Sequence, residues 1–354
     1  MGLSIGIVGL PNVGKSTLFT ALTNKRAEAS NYPFCTIEPN VGVVPVPDRR
    51  LERVRELYGS ATMTPATVEF VDIAGLVKGA SEGEGLGNQF LANIRETDAI
   101  AEVVRFFEDA DVVHVDGRVD PFSDVETIKT ELILADLGTV ERAIPRLEKA
   151  AKKDRSAAPK LSTVKRVGEW LGAGHRAWRM EMTEEERGHL QDLHLLTMKP
   201  MLYVANVSED DLHADLPEID GQRPVPICAK LEAELVELEP DERADYLAEL
   251  GLDEPGLDMF VKAAYSLLGL QSFFTGGPKE ARAWTIPVGA TAVEAAGEIH
   301  TDFARGFVKA EVVSFDDFDA LGGEAAAKAA GRLRLEGRDY VVKDGDVIHF
   351  KFNV

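Results

Sequence analysis

The chain has 354 residues, 45% hydrophobic and 28% charged, which is enough apolar material for more than one core and excludes global disorder. Its 39 Lys and Arg against 60 Asp and Glu give a net charge of −21, so a uniformly basic nucleic-acid coat is excluded and any polyanion needs a local basic face. Two cysteines, Cys35 and Cys228, exclude a disulfide scaffold, lack zinc-site spacing and fit a reducing, cytoplasmic setting.

The opening MGLSIGIVGL has no basic n-region and no cleavage site, so it reads as a buried strand and not a signal peptide. Gly6 stands where a myristoylation motif needs Ser or Thr. Apolar runs fall well short of the roughly 20 residues of a membrane helix, so no membrane contact is expected. Nearly continuous apolar runs predict strands at Ile5–Val8, Thr67–Val71, Val112–Val115, Met201–Val204 and Val225–Cys228, separated by helical patterns. The fold class is α/β: a doubly wound, mostly parallel sheet whose ligands sit at the carboxyl ends of its strands. More than eighty residues separate Val115 from Met201, where a crossover needs about a dozen. Val125–Ala151 spaces Ile128, Leu132, Ala135, Thr139, Ala143 and Leu147 as a helix face, and helical texture continues through Leu161–Trp178 and Glu184–Leu196. A long antiparallel helical insertion of coiled-coil type, turning at Lys152–Pro159, is expected. Thr275–Pro278 (TGGP) reads as a linker into a small α+β domain. Its strands are expected at Ala283–Pro287, Phe307–Val313, Tyr340–Val342 and Val347–Phe352, its helices at Ala292–Ile299 and Glu324–Gly331. The domains read as 1–122 with 199–274, the insertion 123–198, and 275–354.

Gly9–Thr17, GLPNVGKST, matches G-x-x-x-x-G-K-[ST] between a strand and the helical run Leu18–Asn24. Inward-turned N–H groups and a helix N-terminus would cradle the β-phosphate, Lys15 would reach the β- and γ-phosphates, and Ser16 would ligate Mg²⁺. Thr36, between Pro33 and Pro39, is placed to complete the magnesium shell. FVDIAGL then supplies D-x-x-G: Asp72 for Mg²⁺ through water, and the Gly75 N–H for the γ-phosphate. Leu76 follows, where Ras-like enzymes carry the glutamine that orients the attacking water. Another group must organise hydrolysis, and His114, Glu82, Glu84 and Arg95 are candidates, with Gly79–Gly87 able to close over the site.

Guanine-specific enzymes end the base-reading strand in N-K-x-D, whose carboxylate accepts two guanine N–H donors. Here the segment is Asn206-Val207-Ser208-Glu209: the lysine is absent and the carboxylate has a longer arm, so the preference for guanine should relax or reverse. Cys228-Ala229-Lys230 resembles the S-A-K loop that packs on the base.

Together GLPNVGKSTLFTALT, NYPFCTIEPN, DIAGLVKGASEGEGLGNQFL, NVSE, ARAWTIPVGATAVEAAGEIHTDFARGF and DYVVKDGDVIHFKFNV resemble the YchF/Obg-like ATPase family over essentially the whole chain. The resemblance implies a translation-factor-class P-loop NTPase core, a coiled-coil insertion, a C-terminal ubiquitin-like TGS domain, and ATP hydrolysed at least as readily as GTP. It implies nucleotide binding by Asn12, Val13, Gly14, Lys15, Ser16 and Thr17, Mg²⁺ on Ser16 and Thr36, and adenine contacts through Asn206, Val207 and Ser208. FEDADVVH places the family's catalytic histidine at His114. Asn12 is where related enzymes lacking the glutamine bind K⁺.

Val140–Met180 holds eleven Lys and Arg against four acids, a local +7, whereas Ser208–Asp258 holds seventeen acids against three basic residues, a local −14. A basic helical projection on an acidic body is a footprint for RNA or a ribosome. The expected protein is a monomeric, ribosome-associated ATPase acting as a switch in translation or stress regulation. A guanine-specific translation GTPase and a nucleotide-gated interaction module with negligible turnover are the alternatives.

Overall fold

A computed structural model describes residues 3–28, 40–74, 86–109 and 118–353. In chain order they form β1 (Ser4–Val8), α1 (Lys15–Glu28), β2 (Val41–Pro45), α2 (Arg49–Tyr58), β3 (Thr62–Thr64), β4 (Thr67–Asp72), α3 (Leu86–Glu96) and β5 (Ala99–Arg105). There follow α4 (Pro121–Lys153), α5 (Ala158–Gly172), α6 (Glu184–Gly188), β6 (Met201–Asn206), β7 (Val225–Ile227), α7 (Ala229–Glu237), α8 (Pro240–Glu249) and α9 (Gly256–Leu267). The C-terminal elements are β8 (Leu270–Gly276), β9 (Glu280–Pro287), α10 (Ala292–Ile299), α11 (Thr301–Arg305), β10 (Phe307–Val313), α12 (Phe315–Leu321), α13 (Glu324–Ala329), β11 (Arg334–Glu336) and β12 (Val347–Phe352).

Two compact units are distinguished: the first includes Glu69–Phe260 and the segment ending at Lys25, the second includes Val43–Val68 and begins again at Val261. This differs from the expected boundaries, because α2 and β3 group with the C-terminal elements and the helical insertion does not separate from the first unit.

The first unit is built on β4, β1, β5, β6 and β7, neighbours in that order and mutually parallel. Every residue of β1, β5 and β6 is buried, as strands covered on both faces must be. The expected strand at Val112–Val115 lies outside the described residues, whereas the strand between β1 and β6 is Ala99–Arg105, which the sequence reading did not include. Glu102 and Arg105 interrupt its apolar run, which hid it. Registers Ile7↔Asp72, Arg105↔Asn206 and Asn206↔Ile227 align the carboxyl ends of the strands along one edge.

Asp120 caps α4 by accepting from the Ser123 N–H at 3.1 Å, and Pro121 begins the helix where a missing N–H costs nothing. At 33 residues α4 is about 50 Å long, whereas α5 has only 15, so the expected long coiled coil is a shorter helical pair. Ile128 and Leu132 are buried as expected, but along α5 the buried stripe is Ile133 and Val140 against Val164, Val167 and Leu171. Ala135, Thr139 and Ala143 are only half-buried. The chain turns at Asp154 as expected, but beyond α5 the helical texture breaks into short turns, because Gly172 ends the helix and Gly174 adopts φ 83°.

Glu102 lies wholly inside this unit, and neither carboxyl oxygen has a hydrogen-bond partner among the described residues. Burial raises its pKa well above the usual carboxylate range, against the opposing pull of Arg176, while Asp220, Asp124 and Glu126 reinforce the rise. A raised carboxyl costs stability as pH climbs from the unfolded pKa through the folded one. Glu102→Gln is therefore expected to flatten the loss of melting temperature with rising pH and to raise it by roughly 2–4 °C at neutral pH. A variant with the wild-type pH profile would contradict this.

The second unit holds the sheet β11-β10-β12-β8-β9-β3. The expected linker at Thr275–Pro278 is corrected: β8 and β9 pair antiparallel, and Gly277 N–H donates to Glu280 O at 3.1 Å to close a hairpin. Tyr340–Val342 forms only a bridge, Thr291↔Val341, while the added strand is β11. One face of the sheet buries Phe273, Ile286, Ala310, Ile348 and Phe350 against α10. Phe274 faces the other way, beneath the Arg50 guanidinium of α2, and Tyr58 packs on Phe318 at 5.2 Å.

Candidate functional site

β1 delivers the chain to Gly9, where a β-carbon would lie 2.8 Å from Val103 O and 2.9 Å from Val13 Cγ2. Asn12 at φ 65° and Gly14 at φ 93° take left-handed backbone, the turn that aims successive N–H groups inward. A β-carbon on Gly14 would also collide with the Asn206 amide nitrogen. Helix α1 then starts at Lys15, with Leu18 N–H donating to Gly14 O at 3.0 Å. Lys15 is only 8% exposed and pairs with the Asp72 carboxylate from the end of β4. A lysine ammonium and a carboxylate thus share one corner.

Asn206, 5% exposed at the end of β6, fastens the loops together. Its Nδ2 donates to Val13 O at 2.8 Å and its Oδ1 accepts from the Ala229 N–H at 3.0 Å. Val207 is buried, with its N–H donating to Ile227 O at 2.9 Å, so its side chain offers the site nothing that a lysine would. Ser208 donates to Asp211 at 2.5 Å, and Glu209 is exposed at the start of a turn. Cys228 is buried on a cluster with Leu231, Leu235 and Leu247, and burial pushes its thiol pKa upward, which disfavours the reactive thiolate.

These loops enclose a cavity of about 900 Å³. Among the expected site residues, Asn12, Gly14, Lys15, Ser16, Thr17, Asp72, Asn206, Val207, Ser208, Glu209 and Cys228 line it. Val13 contributes its carbonyl to Asn206 while its side chain is buried. Thr36, Gly75, Leu76, Glu82, Glu84 and His114 lie outside the described residues. Arg95 is corrected: it lies in the last turn of α3 beside the opposite edge of the sheet, where its carbonyl accepts from Lys199 at 3.2 Å and Asp98 accepts from the Ser4 N–H at the start of β1. It is not among the residues that line the cavity. Sequence reasoning missed Phe107, Glu108 and Asp109, which also line the cavity. The strand that precedes them was hidden by its charged residues, and the loop itself carries no periodic signal.

A parallel sheet whose edge carries this loop, this lysine–aspartate pair and this asparagine clasp defines a P-loop nucleoside-triphosphate-binding protein of the GTPase class. Residues 4–145 match a family model described as 50S ribosome-binding GTPase. Residues 270–353 match the YchF GTPase C-terminal model, described as a protein of unknown function. Over the full length of both chains, the sequence is 55% identical to the ribosome-binding ATPase YchF of Haemophilus ducreyi and 53% identical to that of Bacillus subtilis. The solved structure of the Schizosaccharomyces pombe YchF GTPase superposes with a TM-score of 0.90 at 35% identity, covering 99% of this chain and 98% of that one. The chain belongs to the YchF family.

Proposed function

We propose that this protein is a ribosome-associated ATPase that binds and hydrolyses ATP in the described cavity, takes GTP less readily, and acts as a nucleotide-dependent switch in translation or stress regulation. The carrying observation is the base loop. Asn206 keeps its clasp, but the next side chain, Val207, is buried, and the carboxylate of Glu209 sits on a longer, exposed arm. Such a loop retains a nucleotide pocket without the rigid acceptor that rewards guanine. The naming of full-length relatives as ribosome-binding ATPases supports the same reading.

The oxygen donors Ser16 and Asp72, both lining the cavity, suit a hard cation such as Mg²⁺, with Thr36 as a further ligand. The ion would supply charge neutralisation at the β- and γ-phosphate oxygens. Asn12 is the candidate K⁺ contact. Lys15 would hold the phosphates, the Gly75 N–H the γ-phosphate, and His114 would act on the attacking water. The C-terminal elements are assigned as a ubiquitin-like TGS domain, and the protein as a monomer that works in the cytoplasm, away from membranes.

The ribosome or its RNA would meet the tip of the helical pair. Lys160, Lys165 and Arg166 are paired with Asp192, Glu148 and Glu186, and Arg176 is buried against Asp220. Arg146, Lys149, Lys152, Lys153 and Arg155 are exposed and make no salt bridge among the described residues, which leaves them for phosphates.

Turnover and ribosome sedimentation, read on the same preparations, test both halves. His114→Ala should keep ATP affinity and lose roughly 100-fold in turnover. Charge reversal at Lys152, Lys153 and Arg155 should release the ribosome and weaken the salt dependence of binding. Wild-type turnover in the first, or wild-type sedimentation in the second, would refute the corresponding assignment.

A further inference from the structure

Arg105 is the last residue of β5 and is 1% exposed, although no role in the reaction falls to it from the motifs. It stands opposite Asn206 in the sheet, and the next residue, Phe106, donates its N–H to Asn206 O at 2.8 Å. The chain beyond it, Phe107, Glu108 and Asp109, has no regular secondary structure and yet forms one wall of the cavity. Arg105 organises that wall from beneath. Its Nε donates to Phe107 O at 3.1 Å, its Nη2 to Asp109 O at 3.4 Å, and its guanidinium carbon lies 4.4 Å from the centre of the Phe107 ring.

We propose that Arg105 is a positioning residue of the nucleotide site: by holding two carbonyls and the ring of Phe107, it presents that ring as an apolar surface for the nucleoside part of the ligand. The proposal rests on the nucleotide reading of the cavity. A planar guanidinium is suited to the task because it bonds two carbonyls in its own plane while its face meets an aromatic ring. The phosphates are served separately, by Lys15, Ser16 and the inward N–H groups of the P-loop, so disturbing the wall should weaken binding while leaving the reacting end alone. Arg105→Lys keeps the charge but loses the planar fork and the stacking face.

The test is an equilibrium titration of the full chain with a fluorescent ADP, paired with steady-state ATP kinetics and a melting curve for each variant. Arg105→Lys and Phe107→Ala should each weaken ADP roughly tenfold and raise KM for ATP by a similar factor, with kcat within about twofold of wild type. Because Arg105 acts through Phe107, the double variant should also lie near tenfold, not near the hundredfold of independent sites. Wild-type affinity in either single variant, additive losses in the double, or a loss confined to kcat would overturn the proposal. Should Arg105→Lys fail to melt cooperatively, Phe107→Leu decides: it keeps apolar bulk but removes the ring, so a roughly tenfold loss supports the assignment and wild-type affinity overturns it. A wild-type chain that binds no ADP would defeat the nucleotide reading itself, whereas unaltered variants of a chain that does bind ADP would defeat only the role of Arg105.

Discussion

Lys15→Met is expected to lower ATP affinity by at least about 100-fold, a loss of roughly 3 kcal/mol, and to abolish measurable turnover. Lys15 is almost buried, leaves the first turn of α1 and meets the Asp72 carboxylate at the cavity corner. Methionine reproduces the length and apolar stem of lysine but cannot donate to a phosphate. It also leaves Asp72 as an uncompensated negative charge beside the incoming triphosphate, so two unfavourable terms act in the same direction. Asp72 retains 19% side-chain exposure and therefore access to water, so the melting temperature should move far less than the affinity. Calorimetric titration with ATP, beside a melting curve, separates the two. Affinity within threefold of wild type would mean that the ligand phosphates do not reach this corner.

Gly14→Ala is expected to abolish nucleotide binding by a different route, through the architecture of the loop. At φ 93° an alanine carries backbone strain of about 1–2 kcal/mol. Its methyl would occupy the place of the Asn206 amide nitrogen, which donates to Val13 O while Oδ1 accepts from Ala229 N–H. Displacing Asn206 opens two buried hydrogen bonds, at about 1 kcal/mol each or more if a partner is left unsatisfied. The sum, about 3–5 kcal/mol, should appear as a clear drop in melting temperature together with loss of ADP binding. Asn206→Ala should share the loss of the clasp without the backbone strain, and so be the milder of the two. A Gly14→Ala protein that melts and binds as wild type would show that the loop does not hold the conformation described.

The phosphate half of the site was legible in the sequence because its chemistry is local. Gly14, Lys15, Ser16 and Thr17 are consecutive, and a strand and a helix flank them in the order that a phosphate cradle requires. Asn206 was legible too, since it ends a continuous apolar strand, although its two hydrogen bonds, to Val13 O and from Ala229 N–H, join loops about two hundred residues apart and follow from the folded chain alone. The third wall was not legible. Phe107 belongs to an irregular loop with no periodicity, and the strand that places it was hidden because Glu102 and Arg105 are charged residues inside a buried element. Arg95 looked suitable by type and spacing, but the connection from α3 into β5 starts the strand, and strand starts lie at the edge away from the ligand. The TGGP segment illustrates the opposite error. Glycines there serve a hairpin: Gly276 packs directly against the Tyr58 ring, a long-range contact that resembles a flexible linker when only composition is read.

The central claim is that a cavity retaining the Asn206 clasp, but carrying buried Val207 and exposed Glu209 in place of the guanine-reading lysine and aspartate, takes ATP. The most direct measurement is a competition titration of the purified full chain, in which ATP and GTP displace the same fluorescent ADP in magnesium buffer, with phosphate release followed for each. The expected result is ATP binding at least as tight as GTP, with ATP hydrolysed at least as fast. GTP displacing the probe at a tenfold lower concentration than ATP, with phosphate released from GTP alone, would contradict it.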